Sequence, residues 1–253
     1  MYAKVETDAS RKYLHLLAGT LQSDYCLIGG WAVFYLVNGE YSKQRKRDYL
    51  GSRDIDIGLP DIDSFEVAEK CIRSMGFEQV SFRFLKQLDY ETGRALSTEE
   101  AKRVPSHNLI YLYIDAALPE AGKDVKTRLG FLPPDEPVLA EVFRDRAKMR
   151  SVMLKNNKIF IPNPAHILAM KLNAVGNRTQ DHKKIKDICD IAALCLFSGG
   201  DPAALIAEGK SICNAHAIRN IKRSVNKDDI RTASLVTDIP LSAMNGLFSL
   251  ITG

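Results

Sequence analysis

The sequence lacks the segments and spacings that mark several broad protein classes. No apolar run reaches the roughly 20 residues of a membrane span; the most apolar stretch, residues 188–197, contains Asp190. The first residues, MYAKVETDASRK, hold no apolar signal core, so a cytoplasmic protein without a membrane partner is expected. The five cysteines (Cys26, Cys71, Cys189, Cys195, Cys213) form no CxxC pair and no zinc-spaced cluster with histidine. They are expected to be small buried hydrophobes. A GxxxxGK[ST] loop is absent, which argues against a P-loop NTPase, and GxSxG, HExxH and EF-hand patterns are absent too. His15, His107, His166, His182 and His216 are scattered, with only His182 beside a charged stripe.

What is present is ordinary in bulk. A chain of 253 residues, 45% hydrophobic and 26% charged, can bury a core in one or two domains and is not disordered in the main. Thirty-five Lys and Arg against 31 Asp and Glu leave a net charge of +4. That balance permits a polyanionic partner without demanding one.

Up to about residue 160, strand-like and helix-like segments alternate. Residues 25–28 form a short apolar run into Gly29-Gly30, and 31–37 read as a helix. A basic, polar stretch, 38–53, follows with Lys43, Arg45, Lys46 and Arg47. Residues 54–59 alternate as a strand, 64–75 as an amphipathic helix ended by Gly76, and 77–84 and 108–116 as further strands. Between those two strands, 88–106 reads as a polar excursion. Residues 151–161 read as a hairpin turning at Asn156-Asn157. Asn163-Pro164 then opens a region that is helical to the end. Two domains are therefore expected, 1–160 and 161–253.

The chemistry concentrates in Ser52-Arg53-Asp54-Ile55-Asp56-Ile57. Side chains alternate along a strand, so Asp54 and Asp56 share one face, about 7 Å apart, and the isoleucines share the other. Two like charges there repel unless a cation lies between them, and such a pair can hold Mg²⁺. An isolated Asp-x-Asp also fits a merely solvated strand face. The Gly29-Gly30 junction lets backbone N–H groups meet phosphate at a helix N-terminus. Asp115 ends the apolar strand and needs a partner, or simply terminates it. A second Asp-Ile-Asp, 61–63, is expected to be structural, with Asp63 and Glu66 spaced as a capping box. Further on, Lys171 lies on a mostly apolar helical face, and Lys183, Lys186, Asp187 and Asp190 form one stripe of the next helix.

The order Ile28-Gly29-Gly30, Asp54-Ile55-Asp56-Ile57 and Ile114-Asp115 resembles the nucleotidyltransferase superfamily, the fold shared with DNA polymerase β. The glycine-to-acid spacing is longer than usual there, by the basic stretch 38–53. Lys171, Arg178 and Lys186-Asp187 with Asp190 resemble the K…R…KDxxD signature of AbiEii-type nucleotidyltransferases, with their MenT-like relatives. Those proteins are toxins of type IV toxin–antitoxin and phage-abortive systems. The resemblance implies an α/β (α+β) protein: a mixed-sheet nucleotidyltransferase domain followed by a helical one.

It further implies transfer of a nucleotidyl group from an NTP, with two Mg ions on Asp54, Asp56 and Asp115. Gly29, Gly30 and Ser52 would cradle phosphates, Lys171 and Lys186 would meet the triphosphate, and Asp187 and Asp190 would orient those lysines or contact the nucleotide. Arg53 points away from Asp54 if the strand is regular. The basic stretch suits an RNA acceptor such as tRNA, and an antitoxin partner follows from the family alone. A non-catalytic nucleotide- or RNA-binding protein of the same fold stays open, as does kinase-like phosphoryl transfer to protein.

Overall fold

The computed structural model describes residues 2–253. In order, the first elements are α1 (Lys4–Thr20), β1 (Cys26–Ile28), α2 (Gly29–Arg45), β2 (Ile55–Gly58), α3 (Ile62–Ser74), β3 (Glu78–Val80), β4 (Arg83–Asp89), α4 (Thr98–Ala101), β5 (Leu109–Ala117), α5 (Lys123–Leu129) and α6 (Val138–Arg144). The hairpin β6 (Met149–Leu154) and β7 (Asn157–Pro162) follows, and then α7 (Pro164–Val175), α8 (Asp181–Phe197), α9 (Pro202–Ile212), α10 (Ala217–Ser224), α11 (Lys227–Thr237) and α12 (Leu241–Thr252). The protein is mixed α/β.

One five-stranded sheet, in the order β1-β2-β5-β4-β3, organises the first part. Only β2 and β5 run parallel; the other neighbours are antiparallel. Alternation decides the faces. Ile55 and Ile57 of β2 and Ile110, Leu112 and Ile114 of β5 are buried together, leaving the odd residues of β5 on the opposite face. Helices α7 and α8 pack on each other and on α2, and α8 is buried on every side from Lys186 to Cys195. No helix among the described residues is long and apolar enough to cross a membrane.

Several local expectations change. Helix α2 continues through half of the basic stretch, because Tyr41, one turn beyond Val37, is fully buried and donates its hydroxyl to Thr237 O at 2.9 Å. The helix ends where Lys46 takes a left-handed conformation, φ 57°. Residues 77–84 are two strands, divided by a turn at Ser81 with φ 60°, and β4 runs on into the polar excursion as far as Asp89. Asp61 caps α3, accepting from Ser64 N at 2.8 Å, whereas Asp63 and Glu66 both pair with Arg128. The hairpin turns at Lys155 and Asn156, one residue early, since Leu154 faces Asn157. Helices α1 and α5 had no sequence expectation. Of the cysteines, all of them free thiols, Cys26, Cys189 and Cys195 are buried, while Cys71 and Cys213 are half-buried.

Candidate active site

The parallel register of β2 and β5 sets Asp56 directly beside Asp115. Asp54 stands one residue before β2 and reaches the same cavity, of about 100 Å³. The glycines before α2 serve this close packing. Gly29 is left-handed, φ 65°, and a β-carbon there would overlap the Asp56 carboxylate. A β-carbon on Gly30 would lie 2.8 Å from Ser52 Oγ and 3.6 Å from Lys186 Nζ. Both positions exclude larger residues for steric reasons. The α2 N-terminus is therefore backed by Ser52 and Lys186, while the Gly29 side is taken up by Asp56.

Arg83 on β4 was not anticipated. Its Nε and Nη2 donate to the two oxygens of Asp115 at 2.6 and 2.7 Å, and Nη2 also donates to Asp54 Oδ2 at 3.0 Å. The guanidinium lies 3.9 Å from the Tyr113 ring centroid, which supports it from below. Such fork geometry suits arginine rather than lysine. Arg53 also turns back onto Asp54, Nε to Oδ1 3.4 Å, because residues 53 and 54 form a bend ahead of the strand. The expected outward direction of Arg53 is thus corrected.

The charges are unevenly matched. Asp56 is pushed up to about 7, first by burial and then by the like charges of Asp115 and Asp54. Burial also raises Asp115, against the pull of Arg83. Among the described residues no group of three or more His, Cys, Asp or Glu is spaced to hold a metal ion in this conformation. Arg83 takes the place between Asp54 and Asp115 where a cation would neutralise them.

Across the cavity, α7 and α8 supply a buried ion network. Lys171 Nζ donates to Asp187 Oδ1 at 2.7 Å and lies 2.8 Å from Asp190 Oδ2, the latter an ion contact outside hydrogen-bond geometry. Lys186 donates to Asp190 Oδ1 at 2.5 Å, and the buried Tyr49 hydroxyl donates to the same oxygen at 2.8 Å. Arg178, just beyond α7, donates to Asp187 Oδ2 at 2.6 Å. Burial alone would discharge Lys171, but Asp187 and Asp190 outweigh it and hold the ammonium above its ordinary range. For Asp187 burial again works toward neutrality and loses, here to Lys171 and Arg178, so its carboxyl stays below the ordinary range. Burial and then Asp190 push the Tyr49 hydroxyl well up.

The structure thus brings Gly30, Ser52, Asp54, Asp56, Asp115, Lys171, Lys186, Asp187 and Asp190 to one cavity, with Gly29 lining an adjoining one. Tyr2, Arg178 and Lys183 also line it. His182 is exposed and does not. Arg83, Tyr49 and Tyr2 escaped the sequence reading. Arg83 could be found only through the strand register that puts it beside Asp115, and Tyr49 lay in a stretch read as basic loop. The basic stretch itself is partly engaged: Lys43 pairs with Glu40, Arg47 with Asp238, and Arg53 with Glu6 and Asp54. A larger groove of about 860 Å³, between α10, α11 and α12, contains none of the clustered acids.

No family model matches the chain, and no curated protein matches it. Among solved structures it is similar to an antigenic nucleotidyltransferase-like protein from Paracoccidioides brasiliensis. The identity is 17% over 90% of this chain and 93% of that one, and the TM-score is 0.46.

Proposed function

We propose that the chain is a metal-dependent nucleotidyltransferase that moves a nucleotidyl group from an NTP to an acceptor hydroxyl. The observation that carries this is the placement of three carboxylates, Asp54, Asp56 and Asp115, opposite the Lys171 and Lys186 ammonium groups across one small cavity. In the reaction the acceptor oxygen bonds to the α-phosphorus as the α–β bridging bond breaks and pyrophosphate leaves. Gly30 N–H, Ser52 and Lys186 would receive the phosphates. Asp187 and Asp190 would hold Lys171 and Lys186 charged and directed at them. Fixed groups of this kind need no reorganisation during reaction.

The donor set fits Mg²⁺: three carboxylates lining one cavity offer hard oxygen donors, with Asp56 set directly beside Asp115 by the strand register. Asp54, Asp56 and Asp115 would hold two ions once Arg83 withdraws, and Asp115 would serve the one on the acceptor side. Bound there, the ions would offset triphosphate charge and lower the pKa of the acceptor hydroxyl. We take the acceptor to be RNA, tRNA in particular, the protein to act in the cytoplasm, and its role to be that of a toxin held by an antitoxin, as in AbiEii-type systems. Arg45, Lys46 and Lys183 would meet the RNA backbone.

The test is incubation with each labelled NTP, total tRNA and Mg²⁺, for wild type and Asp56→Ala. Transfer of α-label, lost in the variant, is the expected result. Transfer of γ-label only would replace the proposal with kinase-like chemistry. One observation favours a second reading, a nucleotide- or RNA-binding protein without turnover: Arg83 already neutralises Asp54 and Asp115. Retained RNA binding with no transfer from any NTP would establish that reading instead.

A further inference from the structure

A second chamber, of about 150 Å³, adjoins the first and shares Asp56, Lys171 and Arg178 with it. It opens on the β1 side of Asp56, against Ile28 and Gly29, whereas Asp115 lies on the β5 side. Ile28, Met170 and Ala174 give part of its lining apolar character beside the charged groups, and Glu136 is the one further carboxyl in it. An apolar stretch with a polarisable thioether, edged by polar groups, suits a heterocycle that carries its own donors and acceptors.

Glu136 has little to keep it there. It follows the loop that bonds back to the end of β5, with Glu136 N donating to Leu118 O at 2.8 Å. Its carboxyl accepts only one long hydrogen bond, from Val138 N at 3.3 Å. Burial pushes it up to about 7, and no cation is among the groups that perturb it. A half-buried carboxyl with so few partners is free to take a donor that arrives with a ligand.

We infer that this chamber is the nucleobase subsite and that Glu136 selects bases carrying an exocyclic amino group, which would donate to its carboxylate. Adenine, cytosine and guanine carry that donor; uracil offers only its ring N3–H, flanked by two carbonyls that would face the carboxylate oxygens. The inference rests on the nucleotidyltransferase reading, which places the triphosphate over Gly30 and Lys186 and so directs the base toward Gly29.

Calorimetric binding of ATP, CTP, GTP, UTP and inorganic tripolyphosphate, with Asp54→Asn in every protein to block turnover, tests it. The amino-bearing nucleotides are expected to bind at least about tenfold tighter than UTP, the value of one charge-assisted hydrogen bond. Glu136→Ala should abolish that preference and leave tripolyphosphate unchanged. Met170→Trp, which fills the chamber, should weaken all four nucleotides and again spare tripolyphosphate. Nucleotides that bind without discrimination, or a preference that survives Glu136→Ala, would overturn the base subsite alone. Failure of tripolyphosphate and every nucleotide to bind would overturn the parent reading with it.

Discussion

At the scale of single residues, Arg83 and Lys171 represent opposite solutions to buried charge. Lys171 is matched by two carboxylates that have further donors of their own, so removing it would leave Asp187 to Arg178 and Asp190 to Lys186 and Tyr49. Arg83 instead sits where a ligand cation is wanted. It is bonded to Asp115 through both oxygens, which a divalent ion must share or take over. In Arg83→Gln, Mg²⁺ should therefore raise the melting temperature more than it does in wild type, while the variant without Mg²⁺ should melt lower. Equal Mg²⁺ responses, read by thermal unfolding across a titration, would show that the arginine and the cation do not compete. Sequence alternation puts Asp54 and Asp56 on one face; in the structure both line one cavity, Asp54 from the bend ahead of β2. Their encounter with Arg83 depends on β4 pairing with β5, a long-range register that no local pattern encodes.

At the scale of elements, the legible parts were those with a local cause. Asn163-Pro164 marks the start of α7 because proline at the first helical position loses no hydrogen bond. The asparagine adds a surprise: its side chain donates to Ala147 O at 3.2 Å instead of capping the helix. The end of α2 was missed because Tyr41 is apolar only in the company of α11, whose Thr237 accepts from it. A comparable long-range contact fixes the end of α7. A β-carbon on Gly176 would lie 2.6 Å from Asn220 Cβ and 2.9 Å from the Asn220 backbone carbon, on α10. Gly176→Ala should cost about 1–3 kcal/mol in urea unfolding, the range for overpacking a tight contact. Because Arg178 follows two residues later, the same variant should also disturb the Arg178 contact with Asp187. A change below about 0.5 kcal/mol, the size of an ordinary surface substitution, would show that α10 yields freely.

For the whole molecule, the acid cluster is a standing electrostatic cost that depends on pH. A carboxyl whose folded pKa is raised subtracts stability above its unfolded value; for Asp56 the loss grows between the ordinary 3.8 and about 7. Glu136, also raised to about 7, acts with the same sign. The buried His166 acts oppositely: burial lowers it, neither ring nitrogen has a hydrogen-bond partner, and acid weakens the fold through it. Total stability mixes these signs, so the informative quantity is a difference between proteins. Without divalent ions, Asp56→Asn should melt above wild type at pH 8, with the gap closing toward pH 4. A gap independent of pH, measured by thermal scans in matched buffers, would refute the charge assignment. None of this balance was readable from the net charge of +4, because pairing rather than number decides it.

The hydrogen bond from Tyr49 to Asp190, with Lys186 standing 5.5 Å from the Tyr49 ring, has a dynamic consequence. The segment leading into β2 and the middle of α8 cannot separate without stripping a buried carboxylate of its donor. Their amide protons should therefore share one opening event, exchanging with solvent together and slowly. A substrate in the cavity would therefore meet Tyr2, Arg178 and Lys183 among lining side chains whose two supporting walls are tied together, so that selection falls to the width and charge of that lining.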